Sequence, residues 1–190
     1  MTKDSQISRL LPVNVERVVT SLKRGSFIGF WLQIVLGVVS AVTLLFATPV
    51  LIETKEQTQG TSFGIFCAVI SLILLVIAII FAYRYGKIAK KIETPDPTLR
   101  PKKTDTITLI KTGLTINLVG MLLATVGAQA LVGIVLAKSL ARPQIAIGLT
   151  GPTDFVNSID LLIIQANTNT ITAHFTGIIT SLWLLNRISR

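Results

Sequence analysis

The chain is poor in the residues that build most catalytic and metal centres. Of 190 residues, one is cysteine, one is histidine and two are methionine, so this chain alone forms neither a disulfide framework nor a zinc cluster. It has no glycine-rich phosphate loop, no His-Glu zinc motif and no carboxylate pair within an apolar stretch, and it reads as a non-enzyme. Charge is also scarce: 14% of residues are Asp, Glu, Lys or Arg, against about 25% in an ordinary soluble protein. The first turns of the chain lack an apolar run. Lys3, Asp4, Arg9, Glu16, Arg17, Lys23 and Arg24 are scattered there, which resembles neither a secretory signal nor an acid-poor organellar leader. The expectation is a bacterial or already mature chain.

Apolar length takes the place of charge. Residues 25–52, 57–83, 112–137 and 161–186 contain no Asp, Glu, Lys or Arg. Each run exceeds the roughly 20 residues that cross a hydrocarbon core of about 30 Å. A soluble bundle would carry charges every few positions on its outer faces. The expected fold is all-α: an integral membrane protein with four transmembrane helices and short interfacial amphipathic helices. The net charge is +9, but its placement argues against nucleic acid. Lys55, Lys138 and Arg142 are the only basic residues in the loops after the first and third runs. The others lie before the first run, between the second and third, or after the last. The positive-inside rule then places both termini and the central linker in the cytoplasm, with the basic excess against anionic headgroups.

The expected organisation is a cytoplasmic segment at 1–24, a first transmembrane hairpin at 25–85, a basic linker at 86–104 and a second hairpin at 105–190. Pro95, Pro97 and Pro101 make the linker irregular. Two stretches have the spacing of surface helices. Over 10–19, Leu11, Val15, Val18 and Val19 oppose Glu16 and Arg17; near 153–166, Phe155, Ile159, Leu162 and Ile163 share a face, with Asp154 and Asp160 at the interface. The polar residues of the two hairpins do not correspond, so no internal duplication is supported.

Polar groups inside the runs are the candidate site. Gly113, Gly120 and Gly127 recur every seven residues, a stripe along which another backbone can approach closely. Gln33, Asn117 and Gln129 are amides in apolar surroundings, suited to bonding a neighbouring helix or lining a polar path. Asp160, Asn167 and His174 are also spaced by seven, with Gln165 and Asn169 between them. On one helix Asp160, Asn167 and His174 share a face and offer a carboxylate, an amide and an imidazole to a hydrated divalent cation or a proton. The stretch "NTNTIT" also permits a break, with Asn169 capping a helix that starts near Thr170.

"FIGFWLQIVLGVVSAVTLLF", "AYRYGKIAKKI" and above all "DLLIIQANTNTITAHFTGIITSLWLLNRI" resemble the permease-in-chloroplasts family of the chloroplast inner-envelope (Tic) translocon, more closely its cyanobacterial members. The resemblance implies four transmembrane helices, and either iron permeation or a part in a protein translocon. It carries Asp160, Gln165, Asn169 and His174 over as family positions with no established role. The resulting expectation is a permease, or permease subunit, for iron or another divalent cation. The alternative is a non-transporting interaction or assembly subunit of a protein translocon or photosynthetic complex. No covalent cofactor is expected, and iron or another divalent cation would be cargo. The expected partners are the lipid bilayer and further copies of the chain or a larger membrane complex, without nucleic acid. The expected location is a bacterial plasma or thylakoid membrane.

Overall fold

A computed structural model describes residues 13–53, 59–94, 100–140 and 158–189. The described residues form four helices, α1 (Val13–Glu53), α2 (Gln59–Ile92), α3 (Lys103–Leu140) and α4 (Ser158–Ser189). Each helix packs on its neighbours in sequence, and α4 closes back on α1. Pairing of Lys23 with Glu93 (2.7 Å) and of Ser26 Oγ with the Ala82 carbonyl (2.9 Å) sets the start of α1 beside the end of α2. The two helices are therefore antiparallel.

The bundle follows membrane rules rather than those of a soluble core. On α3 the buried positions are Thr106, Ile110, Gly113, Asn117, Gly120, Ala124, Gly127 and Leu131, which alternate by four and three as in a left-handed supercoil. Most of these residues are small or polar. Large apolar side chains face outward: Leu118 and Leu122 on α3, Phe27, Trp31 and Val38 on α1, and Phe66, Ile73 and Ile80 on α2. In water such a surface would aggregate, whereas in lipid it is solvated. Two apolar clusters close the ends. Val19, Leu22, Tyr85, Ala89, Ile110, Leu184 and Ile188 pack at the end where α1 begins, and Leu44, Ala47, Ala68, Leu131, Ile163 and Ala166 at the other.

The expectation of four transmembrane helices is overturned. Among the described residues, three spans are long and apolar enough to cross a membrane: Val15–Ala47, Gly60–Ile92 and Lys103–Ala137. The fourth helix is not among them. The inference that both termini are cytoplasmic rested on four crossings and loses that support, although α1 begins and α4 ends at the same end of the bundle. The physical reason is that freedom from charge is not apolarity: Gln165, Asn167, Asn169, His174 and the threonines between Thr168 and Thr180 offset the leucines and isoleucines of α4. The protein remains an integral membrane protein, with α4 as the polar wall of the bundle.

The expected short surface helices are corrected as well. Val15, Val18 and Val19 belong to α1 itself, with Val19 buried beside Leu22; residues 10–12 lie outside the described residues. Ile159, Leu162 and Ile163 belong to α4, whereas Asp154 and Phe155 lie outside the described residues. No break occurs at "NTNTIT". The hydroxyls of Thr168 and Thr170 donate to the carbonyls of Ile164 and Ala166, and Gln165 Nε2 donates to Asn169 Oδ1 at 3.3 Å. Asn169 therefore lies in mid-helix and is not a cap. Polar side chains that compete with a helix at its ends can fold back on its own carbonyls in its interior.

α2 runs on to Ile92, into the expected linker, and the Glu93 and Thr94 amides bond back to the carbonyls of Ala89 and Lys91. At 41 residues, α1 is about 60 Å long, twice the hydrocarbon thickness, so it extends beyond the membrane.

The glycine stripe of α3 faces inward. A Cβ at Gly113 would meet Phe81 and the Tyr85 hydroxyl, and one at Gly120 would enter the His174 ring. At Gly127 it would lie 2.9 Å from the Gly64 carbonyl oxygen and 3.0 Å from the Cys67 Cβ. Gly120→Leu should therefore destabilise the bundle by about 1 to 3 kcal/mol, the usual cost of overpacking. Leu122, 64% exposed, should tolerate valine. Thermal unfolding of both variants in mild detergent checks this, and equal melting of Gly120→Leu and wild type would contradict the packing.

Candidate functional site

One polar layer draws on all four helices. From α1, Gln33 Nε2 donates to Asn117 Oδ1 on α3 at 2.8 Å. From α4, His174 Nδ1 lies 3.1 Å from the same Asn117 oxygen, and its Nε2 lies 3.2 Å from the Ser71 carbonyl of α2. Ser71 Oγ in turn donates to the Gly120 carbonyl at 2.8 Å. Gln33, Ser71, Asn117 and His174 are all buried. Missing side chains make the layer possible: Gly120 admits the imidazole, and Gly177 leaves room for the amides of Gln33 and Asn117.

The orientation of the Asn117 amide is set by its surroundings. Its Nδ2 donates to the Gly113 carbonyl at 2.9 Å, so turning the amide round would set oxygen against oxygen. Both ring nitrogens of His174 consequently face acceptors, Asn117 Oδ1 and Ser71 O. A neutral imidazole carries one N–H and satisfies one of them; an imidazolium satisfies both. Oxygen acceptors thus stand at both ring nitrogens. The layer holds two side-chain amides, a peptide carbonyl and an imidazole, without a carboxylate.

A second set of polar contacts lies about two turns along α4. Ser40 Oγ on α1 donates to the Ala166 carbonyl at 2.9 Å, and Thr170 Oγ1 bonds the same oxygen at 3.0 Å. Asn167 is fully buried between these residues in sequence, and neither its amide nitrogen nor its oxygen has a partner.

The expected site residues are distributed unevenly. Gln33, Asn117 and His174 meet, and Gly113 and Gly120 shape their surroundings, while Gly127 packs against α2 farther along. Asn167 shares the inward face of α4 with His174 but stands two turns away. Asp160 is half-buried, about 21 Å along the helix from His174 at 1.5 Å per residue. A single-chain cation site containing both is excluded by that distance. Gln165 and Asn169 pair with each other toward the outside, and Gln129 is exposed. Among the described residues, no three of His, Cys, Asp and Glu converge. Sequence reasoning missed Ser71, which contributes a backbone carbonyl, and Gly177, whose only signal was its place three residues after His174.

Comparison with known proteins agrees with this framework. Residues 12–189 match the family described as "Protein of unknown function (DUF3611)". The chain is 29% identical over 180 residues to "Protein TIC 21, chloroplastic" of Arabidopsis thaliana, covering 92% of this chain and 59% of the plant protein. It thus spans about three fifths of that relative's length. No solved structure matches.

The two buried asparagines should respond oppositely to substitution. Asn117→Leu strands Gln33 and His174, and should cost about 1 to 3 kcal/mol. Asn167→Leu removes an amide that has no partner and should be neutral or stabilising. Melting temperatures in detergent check the pair, and a loss at Asn167 as large as that at Asn117 would mean that Asn167 is satisfied.

Proposed function

The chain belongs to the DUF3611 family, and from that premise we propose that it is a permease subunit that passes a small cation, iron or another divalent metal ion, through the membrane. The single supporting observation is the convergence of Gln33, the Ser71 carbonyl, Asn117 and His174 in one layer deep inside an otherwise apolar bundle. Intramembrane polar groups are costly and mark pathways more often than surfaces. In this reading His174 is the gate. Its ring exchanges bonds to Asn117 and Ser71 for a bond to the passing ion, or gives up its proton as the ion arrives. Gln33 and Asn117 supply amide oxygens once their mutual bond opens. Four helices are few to enclose a path, so we place the subunit in a homo-oligomer or a larger membrane complex, in a bacterial plasma or thylakoid membrane.

One observation favours a second reading. Gln33, Ser71, Asn117 and His174 each bond across to another helix, which also suits an interaction or assembly subunit whose layer fixes helix register. Reconstitution separates the two. Vesicles containing the purified full chain and a metal-quenched dye should take up Fe²⁺ faster than protein-free vesicles, and His174→Gln should cut that rate at least tenfold while melting near the wild-type temperature. Uptake no faster than that of empty vesicles, by protein with an intact unfolding transition, would overturn the permease reading in favour of the assembly subunit.

A further inference from the structure

The end of the bundle where α1 begins carries a cleft that the polar layer does not use. Its volume is about 520 Å³, and Arg17, Arg100, Lys103 and Arg187 line it, with no acidic residue among the described residues of its walls. We propose that this cleft binds the phosphate headgroup of an anionic phospholipid.

Three observations point to a lipid. The cleft is amphipathic: below its four cations, Val15, Val18, Ile92 and Ile188 form an apolar wall, which suits a glycerol and acyl root and offers nothing to a free inorganic anion. The cations also come from separate helices, Arg17 from α1, Lys103 from α3 and Arg187 from α4, with Arg100 just before α3. Folding thus gathers like charges that repel one another until an anion joins them. Finally, Arg100 is incompletely satisfied, because its Nη2 donates to the Thr94 carbonyl at 3.3 Å while its Nε is buried without a partner. A guanidinium in that state favours a further acceptor, and phosphate matches its fork.

The surroundings place this end at the membrane–water boundary. Lys87 lies 4.8 Å from the Tyr83 ring centroid, Arg84 lies 5.7 Å from that of Phe81, and Arg187 lies 5.9 Å from that of Trp183. Paired aromatic and basic side chains of this kind form the interfacial belt of membrane proteins. A smaller cleft of about 380 Å³ adjoins this one, shares Arg17 and Arg187, and adds Arg24 and Trp183 together with Glu16. The larger cleft, free of acid, is the stronger anion site. Lys23 contributes to neither, being paired with Glu93.

Native mass spectrometry of the full chain released from detergent tests the proposal with three probes: phosphatidylglycerol, phosphatidylcholine and inorganic phosphate. Phosphatidylglycerol should be retained at one per chain, and phosphatidylcholine should be lost. Arg100→Gln with Arg187→Gln should weaken retention about thirtyfold, from about 1 kcal/mol per basic residue. Lysine at both positions keeps the charge but not the fork, and should restore part of it. Lys102→Gln with Lys111→Gln, exposed positions outside the cleft, should change it less than threefold. The idea is overturned by equal retention of phosphatidylcholine, by competition from inorganic phosphate at the lipid's own concentration, by equal loss in the Lys102 and Lys111 pair, or by failure of the lysine variant to rescue.

Discussion

The interior of this protein depends on the hydrogen bond from the Asn117 amide to the carbonyl of Gly113, one turn earlier on the same helix. That local bond decides which end of the amide faces the bundle. With the nitrogen committed, the oxygen is left to receive Gln33 from α1 and the His174 ring from α4. His174 is then steered to the Ser71 carbonyl of α2. One intrahelical contact thus propagates into contacts with all three other helices. In hydrocarbon, where no water can replace a missing partner, such a chain of dependencies is stronger than it would be in a soluble core.

Small residues make these bonds geometrically possible. Gly120 and Gly177 create the space for the imidazole and the two amides, while Gly127 brings α3 against the backbone of α2 at Gly64. Ser26, Ser40 and Ser71 then add hydroxyl bonds to carbonyls of neighbouring helices. Interhelical bonds of this type contribute about 0.6 to 2 kcal/mol each. They fix register more than they add stability, since the outward leucines, valines and phenylalanines gain little by leaving one apolar solvent for another. The same economy explains the contrast between Asn117 and Asn167: both are buried, but only the first is satisfied.

The two ends of the bundle differ in chemistry. Where α1 starts and α4 ends, arginines and lysines from three helices crowd around an apolar cluster, with aromatic rings beneath them. At the opposite end the cluster around Leu44, Leu131 and Ile163 lies below the half-buried Asp160. The polar layer in the middle and the basic cleft at one end thus occupy separate parts of the molecule.

Much of this was legible in the amino-acid order. Long charge-free runs marked the helices and the membrane character but overcounted the spans, since the run in α4 is charge-free yet too polar to be one; the heptad of Gly113, Gly120 and Gly127 marked a close-packed face, because glycine leaves room for a neighbouring backbone. Gln33, Asn117 and His174 stood out as polar groups in apolar surroundings. Tertiary structure decided which of them meet. Amide, imidazole and carboxylate are equally visible along a chain, but hydrogen bonds reach about 3 Å, so Asp160 drops out of the layer while a backbone carbonyl at Ser71 enters it. Structure also decided that α4 is one helix, since its threonines bond backward rather than breaking it. Local sequence shows which groups need partners, and only packing brings the partners within reach.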